Sequence, residues 1–174
     1  MLILLDMDEV LADFVGGALR ANGWPPEDPR TPGQWDLVEA MGIDEKEFWK
    51  PIWLDGADFW FNLGVLPQAR EVVELVTSFG EDWLIVSSPP PPPVFVPEVY
   101  RGKHTWLVWN FPGTEERLVV LPRERKCSLA NRETVLIDDN PKTIKQFNNA
   151  GGVGILYPTS LFYLRKKLQS IMGR

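Results

Sequence analysis

The sequence predicts an α/β fold: a parallel sheet flanked by helices, with a small helical insertion after the first strand and helix. Three observations predict it. First, the runs Leu2-Ile3-Leu4-Leu5 and Thr134-Val135-Leu136-Ile137 both stop at acids, Asp6-Met7-Asp8 and Asp138-Asp139. Apolar β-formers that end in acids read as buried parallel strands bringing side chains to the C-terminal edge of their sheet, where open α/β sheets bind ligands. Second, strand-like and helix-like segments alternate along the chain, the pattern of right-handed parallel crossovers. Third, residues 24–65 break that pattern with prolines, acids and aromatic residues.

Each element has its own signal. Residues 2–6 read as a strand. Val10 to Asn22 reads as a helix with Leu11, Phe14, Val15, Ala18 and Leu19 on one face and Gly23 as its stop. Pro25, Pro26, Pro29 and Pro32 then open the insertion, which holds Trp35, Phe48, Trp49, Trp53, Phe59, Trp60 and Phe61. Pro67 introduces an amphipathic helix ended by Gly80, and Trp83–Val86 is a second buried strand leading to Ser87-Ser88. Pro89 to Pro93 form a stiff irregular loop. A helix over Lys103–Phe111 and a strand over Leu118–Leu121 follow. Thr134–Asp138 is a strand, and Asn140-Pro141 caps and starts the next helix. Val153–Leu156 is the last strand and Thr159–Met172 the C-terminal helix. The domain division expected from this is a core of 1–23 with 66–174, and a small helical cap of 24–65.

Composition excludes several classes. The chain has 174 residues, 44% of them hydrophobic, enough for one domain with a full core. A net charge of −6 gives no basic footprint for a nucleic-acid backbone, so no stable nucleic-acid binding is expected. One cysteine, Cys127, excludes an intramolecular disulfide and suits a reducing compartment. The apolar run after Met1 is too short for a signal peptide or a membrane span. A cytoplasmic protein without membrane contact is the expectation.

The acids carry the chemistry. If the edges of the two acid-ended strands adjoin, four carboxylates share one pocket. Burying them unpaired costs on the order of several kcal/mol per group, so the pocket calls for a cation. With one histidine and one cysteine in the chain, a zinc set is poor, and oxygen ligands suit Mg²⁺. Asp6 is placed to act as a nucleophile toward phosphorus. Asp8, two residues on in extended chain, shares its side and is placed to protonate a leaving alkoxide and then activate water. Ser87 and Ser88 offer hydroxyls to phosphate oxygens, although Ser-Ser-Pro is also ordinary turn chemistry. Lys126 supplies positive charge for a transferring phosphoryl group, with Lys103 as the rival lysine. Cys127 with Arg132 is one residue short of a cysteine-phosphatase loop. Gly151-Gly152-Val153-Gly154 reads as a turn.

Asp6-Met7-Asp8-Glu9-Val10-Leu11 resembles motif I of the haloacid dehalogenase-like phosphohydrolases. Ser87, a lysine before the last acidic strand and Asp138-Asp139 resemble motifs II, III and IV in order. The stretches DMDEVLADF, SSP and LIDDNP, with Phe59-Trp60-Phe61-Asn62-Leu63 and Pro67 before the long helix, are similar to the 5′(3′)-deoxyribonucleotidase branch. The resemblance covers nearly the whole chain. It implies a Rossmann-like core and a Mg²⁺-dependent phosphoric monoester hydrolase that works through an aspartyl-phosphate. The implied substrate is a small phosphomonoester, foremost a nucleoside monophosphate. It assigns catalysis to Asp6, Asp8 and Lys126, and Mg²⁺ to Asp6, the Asp8 carbonyl, Asp138 and Asp139, with Asp139 the direct ligand. It assigns Phe14 to base stacking, the alternative being core packing. Trp53, Phe59 and Trp60 either wall a base pocket or pack the insertion. The chain departs from the branch at Glu9, where glycine is usual, and at Asn140, where a basic residue is usual. Glu9 either adds negative charge close to the site and strains its turn, or points away, or caps the following helix. Other phosphorylated metabolites, a nucleic-acid 3′-phosphate end and a non-catalytic Mg²⁺ or phosphate-binding module remain as alternatives. Monomer and homodimer both remain open.

Overall fold

The computed structural model describes all residues except Pro32, Gly33, Glu81, 92–95, Thr159 and Arg174. In chain order the elements are β1 (Leu2–Leu5), β2 (Ala12–Asp13), α1 (Phe14–Ala21), α2 (Leu37–Met41), α3 (Glu45–Asp55) and α4 (Ala57–Phe61). Then come β3 (Gly64–Val65), α5 (Ala69–Thr77), β4 (Trp83–Ser87), α6 (Val96–Asn110) and β5 (Leu118–Val120). A 3-10 helix over Arg123–Leu129, β6 (Thr134–Asp138), α7 (Pro141–Asn149), β7 (Val153–Leu156) and α8 (Leu161–Met172) complete the chain.

The chain divides into two compact units. The first comprises Met1–Ala12, Leu66–Ser88 and Glu116–Arg174. Its sheet has the order β5-β4-β1-β6-β7 and is parallel throughout. β1 is central because it is apolar throughout and buried on both faces, with Leu4 and Leu5 wholly buried. Leu5 aligns with Ile85 of β4 on one side and with Ile137 of β6 on the other. That register sets Asp6 and Asp138 abreast at the C-terminal edge, and the Asp6 N–H donates to the Ile137 carbonyl at 2.9 Å. Chain order reverses direction beside β1, which makes this edge the topological switch point of the sheet. Leu4, Val86 and Leu136 pack with Ile144 and Phe147 of α7, while α5 packs against α8.

The second unit comprises Asp13–Val65 and Pro89–Glu115. It is helical, with α4 packed on α6. Gly102 permits that contact: a Cβ there would overlap the Ala57 carbonyl oxygen and lie 2.8 Å from the Trp60 Cβ. The Trp106 indole N–H donates to the Leu63 carbonyl at 2.8 Å, fully buried. Gly102→Ala is therefore expected to cost about 1–3 kcal/mol by overpacking and to lower the thermal midpoint by roughly 2–10 °C, read by calorimetry.

The unit boundaries differ from the expected 24–65 insertion. They agree at Leu66, but the second unit also takes in α1 and α6, because α6 carries its buried contacts to Ala57, Trp60 and Leu63. Other corrections are local. α1 begins at Phe14 rather than Val10, since Asp13 is its N-cap, accepting from the Gly16 N–H at 2.8 Å. α6 begins at Val96 rather than Lys103, with Pro97 in a first turn that needs no donor from it. Pro89–Pro91 carry no helix or strand, as expected; Pro92, Pro93 and Thr159 lie outside the described residues.

Candidate active site

The described acids, the serine and one lysine of the first unit meet at the ends of β1, β4 and β6. The Lys126 ammonium lies 2.7 Å from Asp6 Oδ2 and 2.7 Å from Asp138 Oδ2. The 3-10 helix over Arg123–Leu129 delivers it, and its side chain is 3% exposed. The remaining oxygens are also engaged. Asp6 Oδ1 accepts from the Met7 N–H at 2.8 Å, and Asp138 Oδ1 accepts from the Asn140 N–H at 2.9 Å. Asp6, Asp138 and Asp139 each offer one carboxylate oxygen within 4.8 Å of the others. The Ser87 hydroxyl, wholly buried, donates to Asp8 Oδ2 at 3.4 Å.

Electrostatics follow from burial. Removal from water pushes the Asp6 carboxyl up from 3.8 to about 6; Lys126 pulls it back and Asp138 adds to the rise. Burial works against the Lys126 ammonium too, but Asp6 and Asp138 outweigh it and hold Lys126 above its ordinary value. Lys126 thus stays charged between Asp6 and Asp138, and Asp139 brings a third carboxylate to the group. Their donor atoms are all oxygen, with excess negative charge, so the set fits a hard divalent ion such as Mg²⁺.

Residues 1–164 match the family model described as 5′ nucleotidase, deoxy (pyrimidine), cytosolic type C protein. The chain belongs to this nucleotidase family. A putative 5′(3′)-deoxyribonucleotidase of Staphylococcus epidermidis (strain ATCC 12228 / FDA PCI 1200) is 27% identical over 98% of this chain and 90% of its own length. The mitochondrial 5′(3′)-deoxyribonucleotidase of Mus musculus is 34% identical over 80% of this chain and 64% of its own length. The crystal structure of a hydrolase from Streptococcus pneumoniae TIGR4 superposes with a TM-score of 0.57 at 16% identity. It covers 96% of this chain and 97% of that one, a likeness of fold.

Against that nucleotidase family, the residues expected from sequence fall into two groups. Asp6, Asp8, Ser87, Lys126, Asp138 and Asp139 come together in the first unit. The Ser88 hydroxyl is buried without a hydrogen-bond partner. The Asp8 carboxylate stands outside the three-acid oxygen group, held instead by Ser87. Phe14, Trp60 and Lys103 belong to the second unit. Lys103, wholly buried, lies 4.1 Å from the Trp60 ring centroid, and Lys126 is within ion-pairing distance of Asp6 and Asp138. Trp60 stacks on Phe14 with centroids 6.0 Å apart and meets Phe59 edge-on at 4.9 Å. At 2% exposure Trp60 is packed among these aromatic rings; Phe14 is half-buried.

Glu9 shows strain. Its φ is +56, the one positive value at a non-glycine among the described residues, and its N–H donates to the Ala12 carbonyl at 2.8 Å. The capping alternative is overturned, because Asp13 caps α1. Sequence reasoning missed Asp13, although an aspartate three residues before Gly16 is an N-cap signal. Glu9→Gly is expected to raise stability by about 0.5–1 kcal/mol, strain relief exceeding the chain entropy that glycine adds, measured by urea titration.

Proposed function

We propose that the chain is a Mg²⁺-dependent hydrolase of phosphomonoesters, acting on (deoxy)nucleoside monophosphates. The observation that carries this reading is the Lys126 ammonium held between Asp6 and Asp138 at the sheet edge. Family membership supports it, as do the named activities of the Staphylococcus and mouse relatives.

In this reading Asp6 attacks phosphorus through Oδ2, forming an aspartyl-phosphate as the alcohol leaves. Asp8 gives its proton to the departing oxygen and later takes one from the water that attacks phosphorus, which breaks the bond to Asp6 Oδ2 and releases phosphate. The Ser87 hydroxyl, now turned to Asp8, and the unpartnered Ser88 hydroxyl receive phosphate oxygens. Lys126 offsets the charge of the transferring group, which positioning and electrostatics dominate. Asp6, Asp138 and Asp139, with the Asp8 carbonyl, would hold Mg²⁺. Bound there, Mg²⁺ would supply positive charge to compensate phosphoryl oxygens.

Phosphate release from a panel of nucleoside monophosphates and sugar phosphates, with and without Mg²⁺, tests the reading. Mg²⁺-dependent release with nucleotides preferred is the expected result. Correctly folded protein that binds Mg²⁺ and releases phosphate from no substrate would favour a binding module instead. Preference for sugar phosphates would move the substrate class but keep the chemistry.

Mg²⁺ is also expected to stabilise the fold by mass action, about 2.7 kcal/mol at a hundredfold excess over Kd, or roughly 5–10 °C in thermal midpoint. The shift should be larger at pH 8 than at pH 5. Below about 6 Asp6 retains its proton, which competes with the cation. Equal shifts at both pH values would remove Asp6 from the ligand set.

A further inference from the structure

The geometry points to Asn140 as a positioning residue that fixes the metal-binding carboxylates through the cap of α7; this rests on the metal-dependent reading above. Both oxygens of Asp138 are taken, one by Lys126 at 2.7 Å and the other by the Asn140 N–H at 2.9 Å. The carboxylate therefore cannot turn without breaking one of them. The Asn140 backbone is fixed in turn by its own side chain. Asn140 Oδ1 accepts from the Lys142 N–H at 2.8 Å and the Thr143 N–H at 3.3 Å, closing the first turn of α7. Asn140 is 3% exposed. Asp139, the third oxygen donor, lies between the two pinned residues, so the same cap sets the main chain on both its sides.

The amide half of the side chain takes no part in this. Asn140 Nδ2 is buried without a hydrogen-bond partner, so the side chain is held by its oxygen alone. A serine, whose hydroxyl oxygen caps equally well, should replace it in this role. An alanine should not: the first turn loosens, and the Asn140 N–H no longer holds Asp138 in one place. Partners of metal ligands of this kind typically change metal affinity 10–100-fold when lost.

The test is a calorimetric Mg²⁺ titration, without substrate, of wild type, Asn140→Ala and Asn140→Ser. Phosphate-release kinetics on thymidine monophosphate accompany it. Asn140→Ala is expected to weaken Mg²⁺ binding about tenfold and Asn140→Ser by less than about threefold. KM for the nucleotide should stay within about twofold in both, and kcat of Asn140→Ala should recover as Mg²⁺ is raised. Asn140→Ala that melts lower yet binds Mg²⁺ as wild type does would reduce the cap to ordinary helix stability and overturn the inference. Asn140→Ser as weak as Asn140→Ala would overturn it too, because the oxygen would not suffice. If Asn140→Ala does not fold, the serine variant decides alone. Wild type that binds Mg²⁺ without releasing phosphate would sink the phosphatase reading, while the titrations still judge Asn140.

Discussion

Asp6→Asn is expected to abolish turnover and, in the same protein, to raise stability in the absence of metal. The activity loss is set by removal of the attacking oxygen, on the order of 10⁴–10⁶-fold in kcat by the scale of other nucleophile deletions. The stability gain comes from burial. Asp6 titrates at about 6 in the folded chain against 3.8 as a free side chain, so the folded state binds that proton more tightly than the unfolded state. Wild-type stability therefore falls as pH rises from about 4 through 6 and stays lower above it. Asparagine cannot ionise, so the variant loses this slope. In EDTA at pH 8 it should be about 1–3 kcal/mol more stable than wild type, and near pH 4 the difference should vanish. Urea unfolding at the two pH values measures this. Undiminished phosphate release from Asp6→Asn would sink the covalent mechanism, and an unchanged pH slope would sink the account of the buried charge.

Lys126→Met should act in the opposite direction. The methionine fills much of the volume but leaves Asp6 and Asp138 buried with no cation between them. Breaking a buried ion pair from one side costs about 3–5 kcal/mol, which is roughly 6–20 °C in thermal midpoint for a chain of this size. The loss should be full at pH 8 and smaller at pH 5, where Asp6 can take up a proton. Mg²⁺ should restore part of it. Turnover should fall by at least about 10²–10³-fold even at saturating Mg²⁺. Lys103→Met is the comparison: Lys103 lies over Trp60 in the other unit, and the variant should lose less turnover at saturating Mg²⁺ than Lys126→Met. A greater loss of turnover in Lys103→Met than in Lys126→Met would make the assignment of the lysine wrong.

The fold was legible wherever local pattern and tertiary demand agreed. Thr134–Asp138, Val153–Leu156 and the helix opened by Asn140-Pro141 appear as the sequence implies, because each is a short apolar run or amphipathic stretch bounded by strong punctuation. The start of α1 was not legible. Val10 and Leu11 fit its apolar face, but Glu9 turns the chain with a positive φ and Asp13 restarts it. The first half of α6 was hidden by Pro97 and Gly102, which read as breakers. One sits harmlessly in the first turn, and the other is required by the close approach of Ala57 and Trp60. The acids were legible as a set because they end strands. The pairing of Lys126 with Asp6 and Asp138 was not, since Lys126 and Lys103 are each isolated cations in sequence and the pairing depends on the three-dimensional path of the Arg123–Leu129 segment.

The central place of β1 also has a consequence for biosynthesis. Leu2–Leu5 leave the ribosome well before Thr134–Asp138, the strand that pairs with one edge of β1. At ordinary translation speeds that partner emerges on the order of ten seconds later. Throughout that interval the nascent chain carries an apolar strand with an unpaired edge, ending in an aspartate whose lysine partner has also not been made. The nascent protein should therefore depend on chaperone shielding of its N-terminal segment, and slowing translation between residues 6 and 126 should lower soluble yield without changing the finished protein.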